Sequence, residues 1–344
     1  MLPRERVFAA LDFSTPDVVP LEYHPSPAGL YEHGDKLREL WREFPGDFGD
    51  AEEFPPAAPP LEAIDSDGKY SETRRDEWGV VWKYLIFGVA GHPVERPLDD
   101  WASLEGYASP KSPLLDGAGF RIAQERATAH MRRHFLKSGW ISLFEVMHAL
   151  RRFEDILMDI AGSTAEANRL ADLITEYQLE QIRYMLARGV DAIQFGDDFG
   201  TQAAMILSPA TFRRFFKPRF ARLMDPIHAA GKQVFFHTCG RSPQILNDLR
   251  ELGVHAVWPQ LNAYDEKELA RVCREARMAV AIHPDRGELM VHGTPRQVRD
   301  AVSRLAGNFR VGDGGAWFYV EIDAGFPFEN VRALVEAIAV MRGV

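Results

Sequence analysis

Cysteine is nearly absent: only Cys239 and Cys273 occur in 344 residues. Two thiols make no disulfide framework, so the fold must rest on an apolar core, which 46% hydrophobic residues can furnish. No run approaches 18 apolar residues, and no membrane-spanning helix is expected. Positive charge is in deficit, with 40 basic against 50 acidic side chains and no dense basic stripe. Nucleic acid and anionic membrane surfaces are therefore not expected partners. The opening stretch to Asp17 lacks the apolar segment of a secretory leader, and a cytoplasmic, reducing location is expected. No glycine-rich dinucleotide turn follows the first predicted strand.

What is present is alternation. A helix at 4–11 leads to a strand at 18–23, which Pro25 and Pro27 stop. From 139 onward, apolar segments at 139–145, 189–198, 231–239, 255–260, 278–283 and 315–321 read as strands. Helical periodicity lies between them, at 151–161, 165–188, 208–230, 243–251, 265–276, 294–305 and 327–342. Strands separated by helices imply right-handed βαβ units and a parallel sheet. Seven strands with room for an eighth fit an α/β fold of the TIM type, a (β/α)8 barrel, as one domain over residues 1–344. Residues 25–115 are irregular and rich in proline and glycine. They are expected to form an insertion or lid, with a hairpin at 70–89 and Trp78, Trp82 and Trp101 in its core.

In such a barrel the active site lies where the strands end. The ends read Glu22 and His24, Glu145 and His148, Asp197 and Asp198, His237 and Cys239, Gln260, His283 and Asp285, and Glu321 and Asp323. Nearly every strand thus runs from apolar residues into a proton-active or metal-ligating one. The stretch Gly231–Gly240 is the most specific. Residues i and i+2 of a strand share a face, so His237 and Cys239 point together, and imidazole with thiolate suits zinc. Blander roles stay open for several residues: Asp197-Asp198 as a helix cap or turn, His283 as a loop histidine, and Gly312–Gly315 as a tight turn. Cys273 reads as helix packing.

Several stretches together resemble a known family. They are Arg4–Leu11 running into Pro16-Asp17-Val18-Val19-Pro20, Asp197-Asp198-Phe199-Gly200-Thr201-Gln202, Ser208-Pro209-Ala210-Thr211-Phe212, His237-Thr238-Cys239-Gly240, Pro259-Gln260, and Pro327-Phe328-Glu329-Asn330-Val331. Their order and spacing resemble the uroporphyrinogen decarboxylase-like superfamily, which includes the corrinoid-dependent methyltransferases and whose fold is a barrel. The decarboxylases carry an arginine-rich motif after the first strand. Here that place reads His24-Pro-Ser-Pro-Ala-Gly29, so the resemblance points to the non-porphyrin, methyltransferase-like branch.

That branch holds zinc with a His-x-Cys pair and a later cysteine. His237 and Cys239 match the pair, no cysteine follows Cys273, and Glu321 is the expected third ligand. The resemblance implies a zinc-dependent methyltransferase moving a methyl group between a corrinoid and a small molecule. The corrinoid would ride on a separate partner protein. Asp197, Asp198 and Glu145 would orient substrate or handle protons. Gln202 and Gln260 would donate hydrogen bonds, and His24, His283 and Asp285 would contact substrate. Two alternatives stand beside it: a decarboxylase acting on a non-porphyrin substrate, and a barrel that binds a ligand without turnover. A homodimer is compatible with all three.

Overall fold

Short β-branched and aromatic segments flanked by turn residues become ten strands in the computed structural model, which describes residues 1–24, 26–54 and 56–343. In chain order they are β1 (Leu21–His24), β2 (Glu72–Arg75), β3 (Val81–Tyr84), β4 (His92–Glu95), β5 (Lys137–Ile141), β6 (Ala192–Gly196), β7 (Gln233–Thr238), β8 (Ala256–Pro259), β9 (Ala279–Ile282) and β10 (Ala316–Glu321). Seven of them form one parallel sheet in the order β1-β10-β9-β8-β7-β6-β5. Each consecutive pair from β5 to β10 is joined through helix, including Ala165–Arg188, Lys217–Ala229, Glu266–Ala276 and Pro295–Phe309. This is the α/β TIM-type architecture. From β6 to β10 the strands are buried along nearly their whole length, β6 and β9 at every position, as strands covered on both faces must be, whereas β5, at the seam, is buried only at Ile141.

The barrel interior is filled by unequal partners. Phe135, Phe235, Trp317 and Tyr319 supply bulk, and Ala192, Ala256, Ala279 and Ala281 supply room for it. Large rings set against alanines close the lumen into a packed core rather than a pore. A larger outer core binds the sheet to its helices.

The eighth strand is absent among the described residues. The edge between β1 and β5 is a seam, and Asp47 bridges it. Its N–H donates to the Leu21 carbonyl at 2.8 Å, its Oδ2 accepts the Leu21 N–H at 2.9 Å, and its own carbonyl accepts the Phe135 N–H at 3.2 Å. Lys137 pairs with Glu22 across the same seam. A full strand is not available here because Pro45, Gly46 and Gly49 crowd the segment, and proline removes ladder donors.

Within residues 25–115, β2, β3 and β4 form an antiparallel three-stranded sheet. Pro27–His33 is helical where the sequence reading expected irregular chain. Pro27 occupies the first helical turn, where its missing N–H costs nothing. Pro25 lies outside the described residues. No helix among the described residues is long and apolar enough to cross a membrane.

Candidate metal centre

β7 carries His237 and Cys239 to the C-terminal mouth, with Phe235 below them in the barrel interior. His237 is buried, and Trp258 packs on it with ring centroids 4.0 Å apart. Its Nδ1 lies 2.7 Å from the Trp258 carbonyl oxygen. A carbonyl only accepts, so Nδ1 carries the proton and Nε2 keeps its lone pair. That lone pair faces Cys239 Sγ at 3.3 Å and Asp198 Oδ1 at 3.6 Å. Asp198 Oδ1 in turn accepts the Cys239 N–H at 2.7 Å. One ligand atom each from Asp198, His237 and Cys239 lies within 4.8 Å of the others.

Burial dominates the protonation of all three groups. Burial pushes His237 down to about 3, so the imidazole is neutral across the physiological range. Burial and then the Asp198 carboxylate push the Cys239 thiol up to about 12. Asp198 is raised by burial. A divalent cation inverts the preference of the thiol and the carboxylate, since it deprotonates what it coordinates. Nitrogen, sulfur and oxygen donors with a carbonyl fixing the histidine tautomer fit zinc.

Glu321, the third ligand expected from the resemblance, lies elsewhere. Its carboxylate pairs with Arg286 and accepts the Tyr319 hydroxyl at 3.1 Å. The sheet order gives the reason. β10 is three places from β7, whereas β6 is its direct neighbour, with Gly196 opposite His237. A residue just past β6 therefore reaches the His-Cys pair, and Asp198, not Glu321, is the carboxylate beside it.

Asp197 also departs from expectation. It is fully buried, and its two oxygens accept the Leu143 and Glu145 N–H groups, each at 2.8 Å. Burial raises its pKa, against those two bonds. It caps the helix Phe144–Leu150 rather than facing the mouth. Glu145 sits in the first turn of that helix, because β5 ends at Ile141. It pairs with His148 at 3.0 Å and accepts the Asp198 N–H at 3.4 Å.

The remaining predicted residues divide. His237, Cys239, Gln260, His283 and Asp285 line one cavity of about 320 Å³, together with Trp258, Arg286 and Asp323. Gln260 Oε1 accepts the Gly240 N–H at 2.9 Å, and its amide meets that of Gln202 at 3.2 and 3.3 Å. His283 is buried with its two ring nitrogens 3.1 Å from the Pro284 and Pro259 carbonyls, and burial lowers its pKa. Asp285 accepts the Gly287 N–H at 3.0 Å. Gln202, His24, Glu145 and Asp197 do not line this cavity. His24 stands across the mouth, stacked on Tyr319 and 4.0 Å from Glu321.

Trp258, Asn262, Arg286 and Gly287 escaped the sequence reading, and two of them carry chemistry. Arg286 bonds Asp323 at 2.9 Å and pairs with Glu321, and it follows His283 and Asp285 in one loop, where position alone pointed to it. Trp258 was hidden inside an apolar strand, and only its period-two register with the strand end signals an inward side chain.

Residues 132–340 match the uroporphyrinogen decarboxylase (URO-D) family. The uroporphyrinogen decarboxylases of two Thermus thermophilus strains are 31% and 30% identical to it over 103 residues, which is 30% of this chain and 29% of each relative. The matched stretch thus spans under a third of those relatives. The methyltransferase from Methanosarcina mazei shares the fold over 99% of both chains, at a TM-score of 0.63 and 19% identity. Its barrel, its mouth-facing residues and these matches together make this chain a member of the uroporphyrinogen decarboxylase (URO-D) family.

Proposed function

We propose that this chain is a zinc-dependent methyltransferase that moves a methyl group between a corrinoid and a small molecule. The observation that carries the reading is the clustering of the Asp198, His237 and Cys239 ligand atoms within 4.8 Å. Zinc bound there supplies a Lewis acid that lowers the pKa of a thiol or polarises a substrate atom. The Trp258 carbonyl holds the His237 tautomer that ligation needs. Asp198 orients the turn at Cys239 through its backbone N–H. Gln260 fixes the next peptide at Gly240 and presents its amide to the cavity.

The charge of the cavity argues against a polyanionic tetrapyrrole. Among the described residues lining it, Arg286 is the only cation, and it is already paired with Glu321 and Asp323. Several carboxylates need several free cations. A small substrate against Trp258 fits better, with the corrinoid delivered by a partner protein. Residues 25–115 would act as the lid, since Asp76, Trp78 and Trp82 wall a neighbouring cavity of about 390 Å³ with Trp140 and Glu145.

One observation favours a second reading, a decarboxylase on a non-porphyrin substrate. Arg286 and Asp323 both line the cavity, and a single substrate carboxylate can compete with Asp323 for that guanidinium. The test that separates them follows loss of the cobalt–carbon absorbance of methylcobalamin in the presence of a thiol acceptor and zinc. The methyl-transfer reading expects turnover that falls at least about 100-fold in Cys239→Ser. Absence of transfer, with carbon dioxide released from a carboxylate substrate by wild type and Cys239→Ser alike, would establish the lyase instead.

A further inference from the structure

A second cluster of ligand atoms lies at the opposite end of the barrel, where the chain enters β5. His130 is the penultimate residue of the helix Gly117–Met131, and the His134 N–H still bonds the His130 carbonyl at 2.9 Å. The two imidazoles therefore keep helical i, i+4 spacing on one face, with rings 5.4 Å apart. Glu53 meets them from the 3₁₀ turn Ala51–Glu53, and the Asp50 N–H holds its other oxygen at 3.2 Å.

We propose that Glu53, His130 and His134 form a second divalent-metal site, of the zinc class, which clips the segment around Asp47 to the chain entering β5. One ligand atom from each lies within 4.8 Å of the others. Two features of the hydrogen bonding are satisfied by a cation. His130 Nδ1 is 3.0 Å from Glu53 Oε2, and its Nε2 is 3.4 Å from the Phe135 carbonyl oxygen. Both neighbours only accept, while a neutral ring has one proton. A cation in place of the Nδ1 proton satisfies both, leaving Nε2–H on the carbonyl, the usual arrangement of a ligating histidine.

The second feature is independent. His134 is 3% exposed, and its Nε2 has no hydrogen-bond partner. Its nearest charged oxygen, Asp50 Oδ1, is 3.6 Å away, too far for a hydrogen bond. The site serves the seam: Phe135, one residue beyond His134, bonds the Asp47 carbonyl.

The test is a Co²⁺ titration of chelator-treated, full-length wild type, Glu53→Gln and His130→Gln. Glu53 is exposed on the surface and its variant is conservative, so folding is preserved. Wild type is expected to bind two equivalents, only one of which gives a thiolate-to-cobalt band from Cys239. Each variant is expected to lose one equivalent and leave that band unchanged. A count that falls by one in both variants supports the site whatever the thiolate band does. A single equivalent in wild type accompanied by the thiolate band, or an unchanged count in both variants, overturns it.

Discussion

Asp198→Ala should bind zinc at least about 100-fold more weakly than wild type, while its neighbour Asp197→Ala should bind zinc normally and unfold more easily. The two carboxylates are adjacent in sequence and opposite in role. Asp198 Oδ1 faces the lone pair of His237 Nε2 at 3.6 Å and fixes Cys239 through its N–H. Its removal leaves nitrogen and sulfur donors without the third ligand and frees the Cys239 turn. Asp197 spends both oxygens on the N-terminus of the helix Phe144–Leu150. Alanine there orphans the buried Leu143 N–H and the part-buried Glu145 N–H, at a cost of about 2–3 kcal/mol. Calorimetric zinc titration of both variants in the Glu53→Gln background, together with urea unfolding, separates these roles. Equal zinc affinity in Asp198→Ala and wild type would remove Asp198 from the ligand set.

The largest stability loss is expected at the seam. Asp47→Ala should cost about 3–5 kcal/mol, the range for breaking a buried ion pair by removing one partner. Asp47 is fully buried and pairs with Arg342 at 2.8 Å, whose side chain is 4% exposed. Arg6 approaches its other oxygen at 3.3 Å. Burial raises the pKa of Asp47 and lowers that of Arg342, which shows how costly each charge is in this place without the other. The substitution strands the Arg342 guanidinium and also frees the Leu21 N–H at the edge of β1. Asp47→Asn keeps an acceptor for Leu21 and should fall between the two. A loss below about 1 kcal/mol in Asp47→Ala, on the urea scale, would contradict the bridging role.

The barrel was legible because parallel strands buried on both faces are read as apolar runs, and the helices between them carry their own period. The helix Ala165–Arg188 and β10 lie at or within a residue of where periodicity puts them. The seam was not legible. Asp47 sits in a proline- and glycine-flanked segment, and nothing in its neighbours announces pairing with Leu21 and Phe135. At the mouth, the i, i+2 spacing of His237 and Cys239 was sufficient to pair them. The third ligand required sheet order, which a sequence gives only through chain succession. β6 precedes β7 in that succession, so Asp198 was the nearer carboxylate, and Glu321 was preferred on family pattern alone. Asp197 and Asp198 show the same limit at finer scale: which of two adjacent carboxylates turns inward depends on how the chain leaves the strand.

The most direct measurement is zinc content and affinity in wild type against Cys239→Ser, with Glu53→Gln as the background for both so that the mouth is read alone. The account predicts one zinc per chain in the Glu53→Gln protein, with loss of that zinc when Cys239→Ser is added. Zinc retained at the same stoichiometry and affinity after removal of the thiol would contradict a metal centre at Asp198, His237 and Cys239.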